Sequence, residues 1–338
     1  MTSSFSFAVY ERNFTAPFRY GQETLTSRRG VIIRRHNSEG SFVCSEASPL
    51  AGHSSDRLEE VIQTLEHSSS AQLEMNLIHS EKSADLPASL RFALEGIAIQ
   101  SENYGNFQPV HSNALLPWLG PEQTLSRFRI LQREGYRTFK VKISDESISQ
   151  IPIFLKSIPD TGWKVRLDGN RALSPAPLAQ FFQEVSRLEL AGRIDYLEEP
   201  LAGWQHPLLR ESPLALAADE SAGSPQAALR LLETPNCPQV FILKPTVLGG
   251  LASVSPLASQ LKRAGRRAVY TSALETEPGR RSIIALLGRE GAGEVHGLST
   301  GFLFRTNLLP DVPLYGELPV ISMEEKQLWQ ALDWRGCP

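Results

Sequence analysis

Long apolar runs are missing from this 338-residue sequence, and none approaches the ~20 residues that span a bilayer. The first residues also lack the basic start and apolar stretch of a secretion signal. Cysteine is scarce: Cys44, Cys237 and Cys337 are widely spaced, which favours neither a disulfide framework nor a zinc site. A net charge of −3 gives no general attraction to nucleic acid or to anionic lipid. We therefore expect a cytoplasmic protein with a small-molecule partner and without a nucleic-acid or membrane partner.

Several catalytic signatures are absent as well. The seven histidines include no H-E-x-x-H motif, and the glycines match neither a phosphate-binding loop nor a dinucleotide-binding loop. Phosphoryl transfer and hydride transfer are therefore unsupported. His296 is the one histidine expected to reach the functional end of the fold, and we interpret it as structural.

The first part of the chain has the pattern of a separate α+β domain. Strand signals come first and helical periodicity follows, with the segments at 5–14, 30–36, 41–46, 55–65 and from 87 onward. Asp56 and Glu59 resemble a capping box at the start of the first helix. We predict an α+β domain over residues 1–105, which residues 308–338 complete.

Strand and helix signals alternate from about residue 107 onward. Short apolar runs, each closed by a charged residue, end at Lys142, Asp168, Glu198, Asp219 and Lys244. In a β/α barrel the carboxyl ends of the parallel strands converge on one mouth. An open doubly wound sheet shares the alternation but spreads its strand ends apart. We therefore predict an α/β fold with a TIM-type barrel over residues 106–307.

Three acidic residues end successive predicted strands and would crowd together at this mouth. Asp168, Glu198 and Asp219 would repel one another without a cation, and oxygen ligands of this kind suit Mg²⁺. The alternative is that each acid caps a helix or pairs with a lysine. Glu199 and Glu220 follow two of these acids and point the opposite way on the pleat, so we assign them supporting roles.

Basic residues accompany the acids. Lys140 and Lys142 share the interior face of one strand. Mutual repulsion and desolvation are expected to lower the pKa of both amines, which suits a general base. Lys244 would lie across the barrel. Arg166, two residues before Asp168, would either anchor a substrate acid deeper in the barrel or form a buried ion pair.

Taken in order, these segments resemble the enolase superfamily and, within it, the o-succinylbenzoate synthases of menaquinone biosynthesis. The resembling segments are SEASPLAGHS (45–54), FKVK (139–142), LDGNRA (167–172), LEEP (197–200), ADES (218–221), LKPTVLGG (243–250), TSALET (271–276) and GLST (297–300). The sequence departs from the family pattern at Gly169, where alanine is usual, at Thr271, where serine is usual, and at Ser299, where aspartate is usual.

The resemblance implies a capped barrel of the superfamily's (β/α)7β form with Mg²⁺ as cofactor, for which Mn²⁺ can substitute. Asp168, Glu198 and Asp219 would hold the metal. Lys142 would remove the α-proton, and Lys244 would stabilise the resulting enolate. The substrate-binding residues would be Lys140, Arg166, Asn170, Gly249, Gly250, Thr271 and Ser272. The glycine pair opens a predicted helix, whose first backbone N–H groups are expected to attract an anion such as a substrate carboxylate. A loop at 21–29 would close over the mouth.

The implied reaction is the dehydration of 2-succinyl-6-hydroxy-2,4-cyclohexadiene-1-carboxylate to o-succinylbenzoate. A racemase of N-acylated amino acids or an epimerase of dipeptides would use the same metal and both lysines. A barrel that only binds an anion is a third possibility. The sequence is compatible with a monomer.

Overall fold

The computed structural model describes residues 4–20, 23–36, 41–78, 83, 85–102, 110–159, 162–290, 293–305 and 331–338. The strands are β1 (Ser4–Tyr20), β2 (Glu23–His36), β3 (Phe42–Ala47), β4 (Ala114–Leu115), β5 (Thr138–Lys142), β6 (Lys164–Asp168), β7 (Ile194–Glu198), β8 (Leu216–Ala218), β9 (Val240–Leu243), β10 (Arg267–Tyr270) and β11 (Arg335–Gly336). The α-helices are α1 (Leu58–His67), α2 (Ser70–Ile78), α3 (Ala88–Glu102), α4 (Pro121–Arg133), α5 (Asp145–Ile148), α6 (Ile151–Ser157), α7 (Pro175–Arg187), α8 (Pro225–Leu232), α9 (Leu251–Arg263) and α10 (Glu277–Glu290).

The amino-terminal part forms an antiparallel sheet in the order β11-β1-β2-β3. Alternate residues of β1 and β2, among them Phe5, Phe7, Val31 and Ile33, pack with apolar residues of α1, α2 and α3 into one core. The last residues of the chain join this sheet, since β11 pairs with β1. The predicted domain boundaries near 105 and 307 lie outside the described residues and stay predictions.

Two local expectations for this part were wrong. The segment 21–29 is not a loop from residue 23 onward, because Glu23 already belongs to β2 and pairs with Tyr20; residues 21–22 lie outside the described residues. The capping box forms one residue later than expected: the Glu60 carboxylate accepts the Arg57 N–H at 3.1 Å. Asp56 instead accepts bonds from the start of α3.

The second part is a parallel sheet that curls into a barrel. Within the described residues it has seven strands in the order β10-β9-β8-β7-β6-β5-β4. Single bridges from Ser112 to His296 and from Thr271 to Gly297 join its two edges through the segment 296–297. Outward-facing residues of the strands pack under the surrounding helices, which explains why the strands are nearly continuous apolar runs. The fold is thus a TIM-type β/α barrel with an α+β capping domain.

Among the helices of the described ranges, none is both long enough and apolar enough to cross a bilayer.

Candidate active site

The three acidic residues lie side by side at the carboxyl ends of adjacent strands. Lys142 is opposite Asp168, and Asp168 is opposite Glu198, in the registers of β5, β6 and β7. Ala217 on β8 is opposite Glu198, so Asp219 comes two residues later at the same end of the sheet. All three acids are buried. The structure therefore brings these residues together at one mouth, as expected from their positions at strand ends.

Two ammonium groups reach the acids from opposite directions. The Lys140 Nζ lies 2.9 Å from Asp168 Oδ2 and 2.7 Å from Glu198 Oε1. The Lys244 Nζ lies 2.6 Å from Asp219 Oδ2. Three strands separate β5 from β9 in the sheet, so these lysines face each other across the mouth.

The two lysines of β5 differ in their acid–base properties. Desolvation alone would lower the pKa of Lys140, but the charges of Asp168, Glu198 and Asp219 outweigh it and raise that pKa well above its usual value. The expectation that both amines have a lowered pKa was therefore wrong for Lys140. Lys142 is exposed at the strand end, yet desolvation by the surrounding protein lowers its pKa, and the Lys140 charge adds to this. Lys142 is thus the better general base of the pair.

The pKa values of the acids are also shifted by burial and by the neighbouring charges. Burial raises the pKa of Glu198 well above its usual range, and repulsion by Asp168 adds to the effect. Burial would also raise the pKa of Asp219, but the charges of Lys244 and Lys140 lower it overall. These five residues form one charge cluster, in which every carboxylate depends on a nearby cation.

The donor set fits a hard divalent cation. Glu198 Oε2 is buried and finds no hydrogen-bond donor among the described residues, so this oxygen is available to a ligand. The carboxylates do not yet converge: across the described ranges, no three acidic, histidine or cysteine side chains form a cage ready for a metal. The Lys140 ammonium group lies between Asp168 and Glu198, and the Lys244 ammonium group lies beside Asp219. Three carboxylates with spare oxygen lone pairs are nevertheless the ligands that Mg²⁺ prefers.

Backbone strain is concentrated beside these acids. Asn170, Arg171 and Glu199 have positive φ angles of 42°, 62° and 38°, a conformation that non-glycine residues seldom adopt. Asn170 donates from its backbone N–H to Asp168 Oδ1 at 3.1 Å. Strain of this kind persists only where the surrounding structure enforces it, and it is common at functional sites.

The side chain of Glu199 helps to hold this strained backbone in place. Its buried carboxylate accepts the Asp219 N–H at 2.9 Å and the Ser221 N–H at 2.7 Å, and Arg171 lies beside it at 3.3 Å. Glu199 therefore fixes the loop that carries Asp219. Glu199 thus bonds to the loop around Asp219 and points away from the carboxylate cluster, as the strand alternation predicts.

Glu220 accepts a bond of 3.3 Å from the Asn170 side chain. Glu220 follows β8 in a 3-10 helix; burial raises its pKa, and the charges of Asp219, Lys244 and Asp168 also act on it. The prediction from strand alternation therefore does not hold for Glu220.

Arg166 does not reach the mouth. Its guanidinium donates to Asp195 Oδ2 at 2.9 Å, to Asn113 Oδ1 at 2.9 Å and to the Val295 carbonyl at 2.7 Å. It also lies 4.8 Å from the centre of the Tyr196 ring. The geometry favours the buried ion pair over the substrate anchor for this residue.

His296 is also structural. Its Nδ1 accepts the Tyr270 N–H at 3.1 Å within the barrel wall. Burial lowers the pKa of its imidazole to about 3, and the charge of Arg166 acts in the same direction. A neutral imidazole that serves as an acceptor matches the structural role expected for it.

The glycine pair before α9 has a neighbour that the sequence did not reveal. Gly249 and Gly250 have φ angles of 91° and 101°, and the helix begins directly after them. The first backbone N–H groups of the helix, at Leu251 and Ala252, donate to the carboxylate of Glu95 on α3. These groups are therefore not free for a substrate carboxylate, in contrast to the expectation.

The loop after β10 is bonded internally. Ser272 donates to Glu275 Oε2 at 2.7 Å, and its oxygen accepts the Leu274 N–H at 3.0 Å. The hydroxyl of Thr271 is buried and has no hydrogen-bond partner among the described residues. Of the two predicted substrate contacts in this loop, only Thr271 keeps an unused polar atom.

Comparison with known proteins assigns the family. Residues 125–283 match the family model described as Enolase C-terminal domain-like. The chain is 30% identical over 323 residues to the o-succinylbenzoate synthase of Vibrio cholerae, which covers 93% of this chain and 92% of that protein. A solved o-succinylbenzoate synthase from Thermosynechococcus elongatus, complexed with Mg in its active site, superposes with a TM-score of 0.76 at 25% identity and covers 97% of this chain and 99% of that one.

A neighbour with another activity shares the fold. The N-succinyl Arg/Lys racemase of Bacillus cereus superposes with a TM-score of 0.79 over 100% of both chains, at 16% identity. That identity supports a common fold alone, whereas the similarity to the synthases also extends through the sequence. The chain belongs to the o-succinylbenzoate synthase family of hydro-lyases, within the enolase superfamily.

Proposed function

We propose that this enzyme removes water from 2-succinyl-6-hydroxy-2,4-cyclohexadiene-1-carboxylate and forms o-succinylbenzoate for menaquinone biosynthesis. One observation carries the proposal: Lys140 and Lys244 approach the carboxylate cluster from opposite sides, and Lys142 lies at the end of β5, opposite Asp168. The names of the relatives support the choice of reaction. A cytoplasmic location, consistent with free cysteines at all three positions, belongs to the same proposal.

Lys142 acts as the base. Its lowered pKa leaves a larger share of neutral amine near pH 7 than an ordinary lysine has. The amine takes the proton from the carbon that bears the substrate carboxylate. The electron pair of that C–H bond first forms an enolate with the carboxylate, and it then forms the new ring double bond as the C–O bond to the hydroxyl group breaks. The ammonium of Lys142 then protonates the departing hydroxide, so that the net loss is one water molecule.

The other two lysines stabilise negative charge, and the three acids would hold the metal. Lys244 keeps a cation beside Asp219 at the opposite side of the mouth, where it attracts the enolate oxygen. Lys140, whose pKa is raised, stays protonated and depresses the pKa of Lys142. Asp168, Glu198 and Asp219 would hold Mg²⁺ or Mn²⁺. When bound, this ion supplies positive charge to the carboxylate that becomes an enolate.

The test is direct. Purified protein is incubated with Mg²⁺ and the cyclohexadiene substrate, and the aromatic product is followed by ultraviolet absorbance and proton NMR. We expect product with Mg²⁺ and none after EDTA treatment. A matched Lys142→Ala variant should form none, whereas Lys164→Ala, on the exposed start of β6, should match the wild type. Failure of the wild type to form the product would refute the proposal.

A racemase of N-succinyl amino acids is the second candidate, because the opposed lysines offer one amine to each face of an α-carbon. The variant Lys244→Arg separates the two reactions. Arginine retains the charge that a dehydration requires but cannot act as a second base. We expect Lys244→Arg to keep measurable dehydration. Racemisation of N-succinyl amino acids by the wild type, lost in Lys244→Arg, would establish the second candidate instead.

A further inference from the structure

A buried carboxylate joins two loops at the mouth of the barrel. Glu275 is fully buried, and its Oε1 accepts a hydrogen bond from the hydroxyl of Thr246, in the loop after β9. Its Oε2 accepts bonds of 2.7 Å from the Ser272 hydroxyl and 2.7 Å from the Ala273 N–H, in the loop after β10. Both carboxylate oxygens are therefore used, and each is bonded to a different loop.

Glu275 and Ser272 are not available to a substrate. The single hydroxyl proton of Ser272 points to Glu275, while its oxygen accepts the Leu274 N–H at 3.0 Å and the Thr300 hydroxyl at 3.2 Å. A hydroxyl offers one donor and two acceptor positions, so all three are occupied. Any effect of Glu275 on catalysis must therefore act through the loops that it joins.

One of these loops carries Lys244. Thr246 lies two residues beyond it, and the Val247 and Leu248 N–H groups donate to the Lys244 carbonyl at 3.0 and 2.9 Å. Thr246 is thus part of the tight turn from which the Lys244 side chain extends to Asp219. Glu275 holds this turn by its hydroxyl bond to Thr246. Displacement of a catalytic group by ~1 Å can lower a rate by about 100-fold.

We propose that Glu275 is a positioning residue for Lys244: through Thr246 it holds the turn after β9 against the loop after β10. The inference rests on the proposed function in one respect, since it takes Lys244 as the catalytic cation. It adds a role for a residue that contacts neither the substrate nor the acids of the cluster.

The test uses two pairs of matched variants. Glu275→Met keeps the side-chain length but removes both acceptors, and Thr246→Val removes only the hydroxyl. Their controls come from the capping domain, where Asp56 Oδ2 accepts the Ser89 N–H at 3.0 Å and the Ser89 hydroxyl at 2.6 Å, one N–H and one hydroxyl as at Glu275 Oε2. Asp56→Leu and Ser89→Ala therefore disturb an equivalent buried carboxylate away from the barrel mouth.

Turnover is measured with whichever substrate the wild type converts, beside the thermal midpoint of each variant. We expect Glu275→Met to lower kcat roughly 10-fold or more and Thr246→Val about 3-fold or more, each with KM within about 2-fold of the wild type. The double variant should be no slower than Glu275→Met, because both changes break one connection. Asp56→Leu and Ser89→Ala should lose thermal stability while kcat stays within about 2-fold.

Three results would overturn the inference: a folded Glu275→Met enzyme with wild-type kcat, losses that multiply in the double variant, or equal losses of kcat in the control pair. Should Glu275→Met fail to fold, Thr246→Val against Ser89→Ala decides the question. Lys244→Ala separates this failure from that of the proposed function. Full activity in Lys244→Ala would refute the catalytic role of Lys244 itself, whereas an inactive Lys244→Ala with an unaffected Thr246→Val would refute only the positioning role.

Discussion

Removal of the Lys140 ammonium group tests the charge cluster most directly. Lys140 is the sole described cation that contacts both Asp168 and Glu198, at 2.9 and 2.7 Å. The side chains of those acids are 3% and 0% exposed, and that of Lys140 is 16% exposed. In Lys140→Met, two buried carboxyl groups would therefore face each other without the ammonium group between them.

The expected loss follows from this burial. Removing one partner of a buried ion pair costs about 3–5 kcal/mol. With an unfolding entropy of roughly 2.1 cal/mol/K per residue, the 338 residues of the chain correspond to about 0.7 kcal/mol/K for a cooperative transition. The thermal midpoint of Lys140→Met in EDTA should fall by about 4–7 °C. Protonation of Glu198, whose pKa is already raised, would place the result at the lower end.

Metal should reverse this loss. The Lys140 ammonium and a divalent cation would compete for the same two carboxylates, so Mg²⁺ should raise the thermal midpoint of Lys140→Met more than that of the wild type. Differential scanning calorimetry in EDTA and in Mg²⁺ measures both quantities. Lys164→Met, which changes an exposed lysine at the start of β6, is the control. An unchanged midpoint in EDTA, or equal Mg²⁺ effects in variant and wild type, would refute the reasoning.

Three further predictions concern residues around the site. A Cβ on Gly169 would lie 2.9 Å from the Glu199 carbonyl oxygen and 3.0 Å from Pro200 Cα, so Gly169→Ala should destabilise the protein by about 1–3 kcal/mol; an unchanged urea midpoint would contradict this. Arg28 is buried and donates to backbone carbonyls of two loops, so Arg28→Lys, which cannot make this fork of bonds, should cost about 2 kcal/mol in urea unfolding; a loss no larger than that of the exposed Arg29→Lys would argue against it. The pKa of His296 falls to about 3 on folding, so below pH ~6.5 the unfolded chain binds a proton that the native state does not bind, and the free energy of unfolding decreases as the pH is lowered. Between pH 6.5 and 5 the expected decrease is about 2 kcal/mol. In urea unfolding, this decrease should be smaller for His296→Asn than for the wild type.

The strand ends could be predicted from the sequence because their physical cause is local. A parallel strand covered on both faces needs an uninterrupted apolar run, and the polar residue that ends the run marks the mouth. The predicted bounds of β6 and β7, Lys164–Asp168 and Ile194–Glu198, agree with the structure for this reason. Strand alternation also indicated that Glu199 points away from the acids, but it does not extend to Glu220, which follows β8 in a 3-10 helix.

Depth within the barrel could not be predicted in the same way. Alternation places Arg166 and Asp168 on one face but does not say which layer each side chain enters. Arg166 is opposite Tyr196 in the register of β6 and β7 and finds Asp195 and Asn113 beside it. Those partners are 29 and 53 residues away along the chain, so no local sequence pattern indicates these contacts.

Contacts between the two domains were even harder to predict from the sequence. Glu95 caps α9 across 156 residues, and a glutamate in a helix of mixed character gives no sign of such a role. The glycine pair signalled a helix start that attracts an anion, which was physically sound. The anion is supplied by the protein itself, from the capping domain.

The same kind of contact holds the loop 271–276, which follows β10. From the barrel side Glu275 ties this loop to the turn that carries Lys244. From the capping domain Arg28 donates to the Leu274 carbonyl at 3.2 Å, and Glu46 accepts the Thr276 N–H at 2.8 Å. A carboxylate cluster flanked by two lysines serves dehydration and racemisation equally well, so the choice between them cannot lie in the strand ends alone. It must lie in groups that orient the substrate and the lysines, and in this protein the loop after β10 is fixed from both domains at once. A change in the capping domain can therefore alter the chemistry of the barrel without touching a residue that performs it.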